Sequence, residues 1–180
     1  INLNIASGQR VGLVGCNGVG KSTLLKLLVG ILPMQQGTLE VAGLAMQREN
    51  LASIRRKVGY IFQDSDSQLF MPTVAADVAF AAQNYGYPTK EVAARSHRAL
   101  QQVHIEDCAD RPVYRLSGGQ KKLASIAGIL TLDPELILMD EPSAALDPKN
   151  RRNLIEILRG LPCAMLIASH DLDFIYDTCD

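Results

Sequence analysis

A glycine-rich segment near the start of the chain, Gly15–Ser22, has the residue types and spacing of a phosphate-binding loop. It reads Gly-Cys-Asn-Gly-Val-Gly-Lys-Ser and fits the pattern G-x-x-x-x-G-K-[ST] without a mismatch. Its glycines let backbone N–H groups converge on phosphate oxygens, and the helix that follows adds a favourable dipole. Lys21 would then reach the β- and γ-phosphates, and the Ser22 hydroxyl would bind Mg²⁺. The predicted nucleotide contacts in this segment are Gly15, Cys16, Asn17, Gly18, Val19, Gly20, Lys21, Ser22 and Thr23.

Two other interpretations of this segment are possible besides phosphate binding. A glycine-rich turn could merely link a strand to a helix, and Cys16 could be a reactive thiol at a helix N-terminus. The segment lies between a buried strand pattern, Val11–Val14, and a helical pattern with leucines from Leu24 to Leu28. This position favours the phosphate loop, and Cys16 is interpreted as a spacer residue within it.

Two adjacent carboxylates, Asp140 and Glu141, follow an apolar run from Leu136 to Met139. Such a run is typical of a strand buried on both faces of a parallel sheet. Asp140 at its end could hold Mg²⁺ through water, and Glu141 could polarise a water for attack on the γ-phosphate. An acidic pair at an exposed strand end is the alternative, which the preceding phosphate loop disfavours.

The segment Leu116–Gln120 reads Leu-Ser-Gly-Gly-Gln and provides a third element. Ser117, Gly118 and Gly119 would cap a helix and form a second anion-binding N-terminus, although an isolated Ser-Gly-Gly could be no more than a helix cap. This run is the signature sequence of ATP-binding cassette (ABC) ATPases, and together with the two motifs above it makes essentially the whole chain resemble that family.

The resemblance implies roles for further residues. Gln63 at a strand end matches the glutamine that contacts Mg²⁺ and the attacking water, Ser143–Asp147 resembles the D-loop, and His170 matches the switch histidine at the γ-phosphate. His97 and His104 lack such a context and are interpreted as surface residues. The expected catalytic residues are therefore Glu141, His170, Gln63 and Lys21. The expected Mg²⁺ ligands are Ser22, Gln63 and Asp140, and the signature contacts to ATP come from Ser117, Gly118, Gly119 and Gln120.

Two positions depart from the pattern of the family. Ala145 stands in the D-loop where glycine is more usual, and Leu123 stands where an arginine often follows the signature. The second change is expected to remove a charge from the helix surface.

Strand and helix patterns alternate along the chain, which indicates an α/β fold with a parallel sheet. Strands are predicted at Ile1–Ile5, Val11–Val14, Val58–Phe62, Leu136–Met139 and Cys163–Ala168, with a hairpin over Gly37–Gly43. Thr73, Thr89 and Asp147-Pro148 are predicted helix starts. The resemblance implies one ABC ATPase domain over residues 1–180, truncated at both ends. It would be a RecA-like P-loop NTPase core with an inserted helical subdomain at about residues 64–131.

Composition restricts the classes of function. The 18 Lys and Arg residues nearly balance the 19 Asp and Glu residues, which argues against a sequence-independent nucleic-acid partner. No apolar run reaches the length of about 18 residues that a membrane span needs. The four cysteines have no metal-ligand spacing, so free thiols in a reducing compartment are favoured.

The resemblance implies ATP and Mg²⁺ as cofactors and a head-to-tail pair of ATPase subunits, either identical or different. Each ATP would lie between the phosphate loop of one subunit and the signature of the other. The expected location is the cytoplasmic face of a membrane, bound to transporter subunits.

The alternatives are a soluble ABC ATPase in DNA repair or on ribosomes, and a nucleotide-binding module without hydrolysis. Only 96 positions separate Lys21 from Ser117, which leaves no room for the long coiled coils of the repair proteins.

The segment from Gln63 to Phe70 departs from a generic Q-loop and resembles the ATPases of cobalt/nickel importers and energy-coupling-factor vitamin importers. That resemblance implies an integral coupling subunit and a membrane substrate-binding subunit as partners. Leu69, Phe70 and Met71 are expected to be exposed apolar anchors for the coupling subunit. The alternative is that these three side chains pack inside the helical subdomain.

Overall fold

The computed structural model describes all residues from Ile1 to Asp180 and contains six strands and seven α-helices. The strands are β1 (Arg10–Val14), β2 (Glu40–Val41), β3 (Leu44–Ala45), β4 (Val58–Ile61), β5 (Leu136–Asp140) and β6 (Ala164–Ser169). The helices are α1 (Lys21–Leu28), α2 (Leu51–Lys57), α3 (Val74–Asn84), α4 (Thr89–Gln102), α5 (Gly118–Leu130), α6 (Pro148–Gly160) and α7 (Leu172–Thr178). None of the helices is both long enough and apolar enough to cross a bilayer.

The main sheet has the strand order β1-β6-β5-β4, and every neighbouring pair is parallel. Side chains alternate between its two faces. Ile137 and Met139 of β5 belong to the larger core with α5, α6 and α7, whereas Leu138 packs in a smaller core with α1 and α2. Because both faces are covered, β5 and β6 are apolar except for their last residues, Asp140 and Ser169. The predicted α/β fold with a parallel sheet is confirmed.

The segment between β4 and β5 contains α3, α4 and α5 and no strand of the main sheet. Its side chains share the larger core with the sheet. Helix α5 lies directly against β4, and a Cβ added at Gly59 would come within 2.5 Å of the Cδ1 atom of Ile129. Only glycine therefore allows this close approach of helix and strand.

Most of the predicted helix starts have the expected caps. The Thr73 side chain accepts from the N–H of Ala76, and Asp147 accepts from two N–H groups at the start of α6. Thr89 is not a cap. Its predicted role is wrong because Pro88 is the cap residue, with its carbonyl oxygen accepting from the N–H groups of Glu91 and Val92.

Three other local features of the structure differ from the sequence analysis, one absent strand and two additional helices. The strand expected over Ile1–Ile5 is absent, because these residues have no neighbouring strand to which their backbone groups could bond. Helices α2 and α7 were not predicted. Both have only seven residues, and a helix of this length depends on tertiary packing, here of Ile54 and Phe174, which are fully buried.

Candidate functional site

The carboxyl ends of three adjacent strands bring the predicted site residues to one edge of the sheet. The phosphate-loop segment, Gly15–Ser22, follows β1, Glu141 follows β5, and His170 follows β6. The register aligns Val14 with Ser169 and Asp140 with Ala168. Ligands of parallel α/β sheets lie at this edge, where the strands end.

The phosphate-loop segment combines an exposed backbone with a buried lysine. Gly18 and Gly20 have φ values of 81° and 103°, a region in which glycine is favoured. No side chain caps α1, so the N–H groups of its first turn are available to an anion. The Lys21 side chain is 7% exposed, and its Nζ donates to the Gly15 carbonyl at 2.6 Å and to the Cys16 carbonyl at 3.3 Å.

The Glu141 carboxylate is the centre of the site and is almost fully buried. Its Oε1 lies 3.3 Å from Lys21 Nζ, and its Oε2 accepts from Ser169 Oγ at 3.1 Å and from the His170 backbone N–H at 3.3 Å. The Nδ1 atom of His170 lies 2.9 Å from the same oxygen. Burial by itself raises the pKa of Glu141, but these donors together bring the pKa below its ordinary value. The carboxylate is therefore ionised at neutral pH.

Glu141 also has a strained backbone, with a φ of 45° that is unusual for a residue with a side chain. Its N–H donates to the Ala168 carbonyl at 2.8 Å, which anchors it to the end of β6. Such strain occurs mainly at functional sites.

The residues predicted to hold Mg²⁺ fit that ion. Asp140 is 6% exposed, and its Oδ1 is buried without a hydrogen-bond partner. Burial and the nearby Asp140 carboxylate raise the pKa of Tyr60 to about 12. Ser22 lies in the first turn of α1, and one carboxylate with one hydroxyl is a typical protein contribution to Mg²⁺ that is otherwise held by phosphates and water. Gln63 is exposed beyond the end of β4.

The predicted signature residues form the start of α5. Ser117 and Gln120 make a capping box, in which Ser117 Oγ accepts from the Gln120 N–H and Gln120 Oε1 accepts from the Ser117 N–H. A Cβ added at Gly119 would lie 2.6 Å from Asn150 of α6. No hydrogen bond or ion pair joins these residues to Lys21, Glu141 or His170, so the signature is not part of that cluster within one chain.

The D-loop segment, Ser143–Asp147, is tied to the loop after β6 by a network that the sequence analysis missed. Asp171 Oδ2 accepts from Ser143 Oγ at 3.2 Å and from Arg151 Nε at 3.1 Å. The Arg151 hydrogen bonds lower the pKa of Asp171 below its ordinary value, although burial opposes them. Ala145 has a φ of 60°, which explains why glycine suits this position.

Two expectations about side-chain exposure are wrong. Leu69 is 7% exposed and packs in the larger core, because its N–H bonds back to the Ser65 carbonyl and the turn directs the side chain inward. Leu123 is also buried, so its position is part of the core and not of the helix surface. Phe70 is 64% exposed, as expected, and its ring packs edge-on against Phe80. Met71 is half-buried.

The surface histidines and the cysteines agree with the sequence analysis. His97 and His104 are exposed and lie outside the site. All four cysteines are free thiols.

Comparison with known proteins decides the family. The profile of the ABC transporter family matches residues 1–144. The chain belongs to the ABC transporter family. Over 179 residues it is 45% identical to a Streptomyces avermitilis protein described as an ABC transporter ATP-binding protein, a match that covers 99% of the chain and 68% of that protein. It is 40% identical over 185 residues to the energy-coupling factor transporter ATP-binding protein EcfA2 of Methanospirillum hungatei, covering 100% of the chain and 46% of EcfA2.

Solved structures show the same ABC cassette fold. CbiO1 from Clostridium perfringens, part of the ABC transporter complex cbiONQ, has a TM-score of 0.92 and 38% identity, covering 100% of the chain and 74% of CbiO1. The dimeric bacterial ABC transporter cassette MJ0796 has a TM-score of 0.86 and 26% identity, covering 99% of the chain and 82% of that cassette. The chain is thus an ABC transporter ATP-binding subunit and an ATPase.

Proposed function

We propose that this subunit hydrolyses Mg-ATP at the edge of the sheet and that hydrolysis energises import by an energy-coupling-factor or cobalt/nickel type of transporter. The observation that carries the catalytic part is the buried Glu141 carboxylate, held ionised between Lys21 and His170. A charged, desolvated carboxylate with fixed orientation suits a group that accepts a proton from an attacking water.

We propose a role for each member of this cluster. Lys21 and the N–H groups at the start of α1 would neutralise the phosphates, and Glu141 would orient the water. The His170 side chain is 59% exposed while its Nδ1 is held by Glu141, which supports a contact of its imidazole with the γ-phosphate. Because phosphoryl transfer depends on positioning and on charge stabilisation, these contacts account for the main requirements of catalysis.

Mg²⁺ would be held by Ser22 and Asp140, with Gln63 approaching from β4. When bound, it neutralises charge on the β- and γ-phosphates. The unpartnered Oδ1 of Asp140 supports this assignment, since a buried carboxylate oxygen without a partner is costly unless a cation or water satisfies it.

The signature residues, Ser117–Gln120, are proposed to bind the ATP of a second ATPase subunit. Their lack of contact with Lys21, Glu141 and His170 supports this, as does the dimeric state of the MJ0796 cassette. Each of the two sites would then combine the phosphate loop of one subunit with the capped helix start of the other. Closure of the dimer would be needed for hydrolysis.

The membrane partners are inferred from the relatives and from one exposed aromatic residue. EcfA2 and CbiO1 belong by their names to an energy-coupling factor transporter and to the cbiONQ complex. Phe70 is exposed beside the loop that follows β4, where an apolar anchor for an integral coupling subunit would be accessible. The subunit would accordingly be peripheral, on the cytoplasmic face of the membrane. A separate membrane subunit would select the metal ion or vitamin.

Glu141→Gln tests the catalytic assignment. This variant keeps the shape of the side chain but cannot accept a proton, so it should bind Mg-ATP with nearly the parent affinity and lose most turnover, by about a hundredfold or more. With ATP it should elute as a dimer in size-exclusion chromatography.

Glu135→Gln is the matched control, because Glu135 lies beside the opposite end of β5 and makes an exposed ion pair with Lys57. It should hydrolyse ATP at the parent rate. Parent turnover in Glu141→Gln would disprove the role of Glu141.

A further inference from the structure

Lys122 in α5 is a buried cation with an unusual set of partners. It is 3% exposed, and its Nζ donates to the Phe62 carbonyl at 2.9 Å and to the Gln63 carbonyl at 2.9 Å. No carboxylate forms an ion pair with it, whereas the adjacent Lys121 pairs with Asp66, which is largely exposed.

The burial of Lys122 has a cost in stability. Burial disfavours a charged ammonium group, and only two carbonyl groups accept hydrogen bonds from this one. An apolar side chain of similar length would avoid the desolvation but would leave the Phe62 and Gln63 carbonyls without this donor. What the buried ammonium group provides is a fixed position of this backbone.

The backbone that Lys122 holds is the start of the glutamine loop, defined here as residues 62–68. From within the loop, Gln68 Oε1 accepts from the Phe62 N–H at 3.1 Å. Lys122 holds the carbonyl groups of Phe62 and Gln63 from α5. The Gln63 backbone is fixed while its side chain remains exposed and free to approach a ligand.

The same helix begins at the signature. Lys122 follows Ser117 by five residues, so the two lie within about 8 Å along one helix axis. An α-helix is stiff over this distance, so a displacement of the Gln63 backbone would be transmitted to the start of α5. The glutamine loop is proposed to contact the ATP of its own subunit, and the signature the ATP of the partner.

We infer that Lys122 is a positioning residue that links the glutamine loop to the signature, so that the two ATP sites of the dimer respond to each other. This inference depends on the roles proposed above for Gln63 and Ser117. The link is made by the two hydrogen bonds from Nζ to main-chain carbonyls, whereas Lys121 reaches the glutamine loop only through the exposed side chain of Asp66.

Lys122→Met in the full chain is the test, with Lys121→Met as the matched control. Loss of the link should lower kcat by about ten- to a hundredfold, because small misplacements of catalytic groups have effects of that size. The KM for ATP and the Kd for ADP should stay within about twofold, since the phosphate loop is untouched. Lys122→Gln, which keeps two N–H donors, should recover part of the rate.

Amide hydrogen exchange distinguishes a positioning role of Lys122 from a general structural role. In the Glu141→Gln background, ATP should protect the amides of residues 15–23, 62–68 and 117–120. Adding Lys122→Met should weaken the ATP-dependent protection of the last two segments together and leave the first unchanged. A purely structural role would instead raise exchange throughout α5 with and without ATP.

Three results would overturn the inference: an unchanged kcat in Lys122→Met, an equal loss in Lys121→Met, or a change in exchange confined to one of the two segments. Lys122→Leu, which needs less space, replaces Lys122→Met if that variant does not fold. Absence of ATP hydrolysis by the parent protein would be a different failure, because it would disprove the proposed function itself.

Discussion

At the scale of single residues, the chemistry of the site depends on which donors hold each oxygen of the buried Glu141 carboxylate. Oε2 has three donors and Oε1 faces only Lys21, whose Nζ is shared with two loop carbonyls. A phosphate that competes for Lys21 would leave Oε1 free to accept from a water. In the proposed mechanism, the side chain that positions the water would thus be released when the substrate binds.

Ser117→Arg should abolish hydrolysis while leaving binding of nucleotide by the monomer intact. The large cation would block the start of α5, which is proposed to contact the ATP of the partner, and it does not approach Lys21. ATPase assays together with calorimetry on the monomer measure both effects. Ser117→Ala is the graded comparison, because it removes a hydroxyl that is both the helix cap and a proposed ATP contact but keeps the helix N–H groups. Loss of the cap costs about 1 kcal/mol, and hydrolysis should fall by less than in Ser117→Arg. Equal loss of monomer binding in Ser117→Arg would contradict the assignment to the partner site.

Sequence motifs identify the residues that contact ATP in the proposal, but they miss the residues that hold them. Lys21, Glu141 and His170 were predicted, and the structure brings them together. Lys122 and Asp171 were not predicted, because each acts through contacts with residues 20 to 60 positions away and no local pattern encodes such contacts. The predicted exposure of Leu69 is also wrong, because the turn closed by the hydrogen bond from its N–H to the Ser65 carbonyl points the side chain into the core.

At the scale of elements, the start of α6 joins the loops around the site. Asn150 contacts the position of Gly119 and also donates to Asp147, while Arg151 binds Asp171 at the start of α7. Ser143 of the D-loop donates to Asp171 as well. A movement of α6 would therefore displace the signature, the D-loop and the loop of His170 together.

Asp171→Asn should lower the free energy of unfolding by about 1–3 kcal/mol at neutral pH, because Arg151 loses a charged acceptor. The folded pKa of Asp171 lies below its ordinary value of 3.8, so its stabilisation is complete above that pH and is lost as pH falls through the folded pKa. Urea unfolding between pH 3 and pH 7 should therefore show the difference between parent and variant constant above about pH 5 and shrinking below pH 4.

Asp173→Asn provides the comparison, since Asp173 is exposed on the same helix and makes no side-chain hydrogen bond. It should change stability by less than about 0.5 kcal/mol. A pH-independent loss in Asp171→Asn would show that its charge is not what stabilises the start of α7.

Gly59→Ala should destabilise the protein by about 1–3 kcal/mol, because the added Cβ collides with Ile129 of α5 and must separate helix from strand. Thermal or urea unfolding measures the loss. In an Ile129→Ala background the same change should cost less, because the colliding atom at 2.5 Å is the Cδ1 that alanine lacks. Gly160→Ala should be nearly neutral, since no atom lies within 4 Å of its added Cβ. Equal effects of the two alanine variants would contradict the packing argument.

The elements that the sequence predicts best are those whose burial is uniform or whose caps are local. β5 is apolar from Leu136 to Met139, and the Asp147-Pro148 cap of α6 lies at the predicted place. The seven-residue helices α2 and α7 escape prediction because their few apolar residues show no clear period. A strand pattern such as Ile1–Ile5 needs a neighbouring strand that sequence alternation cannot guarantee.

At the scale of the whole molecule, two separate surfaces serve two kinds of proposed partner. The exposed phosphate loop and the signature would face a second ATPase subunit. Phe70 lies two residues beyond the glutamine loop, where the N–H groups of Phe70 and Met71 donate to Asp77 of α3. The segment is thereby connected both to Gln63 and to the helices between β4 and β5. A membrane subunit bound there could respond to the state of the ATP site.

Phe70→Ala tests this second surface in the full-length transporter. The variant should bind and hydrolyse ATP in solution like the parent, but it should release the membrane subunits during co-purification or lose ATP-dependent uptake. Tyr176→Ala is the matched control, because this aromatic side chain is 86% exposed on α7, away from the glutamine loop. It should leave the complex intact.

If Phe70 only packs against Phe80, its replacement will lower the melting temperature and leave co-purification unchanged, which would contradict the docking role. Recovery of the parent protein with an exporter permease and no integral coupling subunit would contradict the proposed type of transporter.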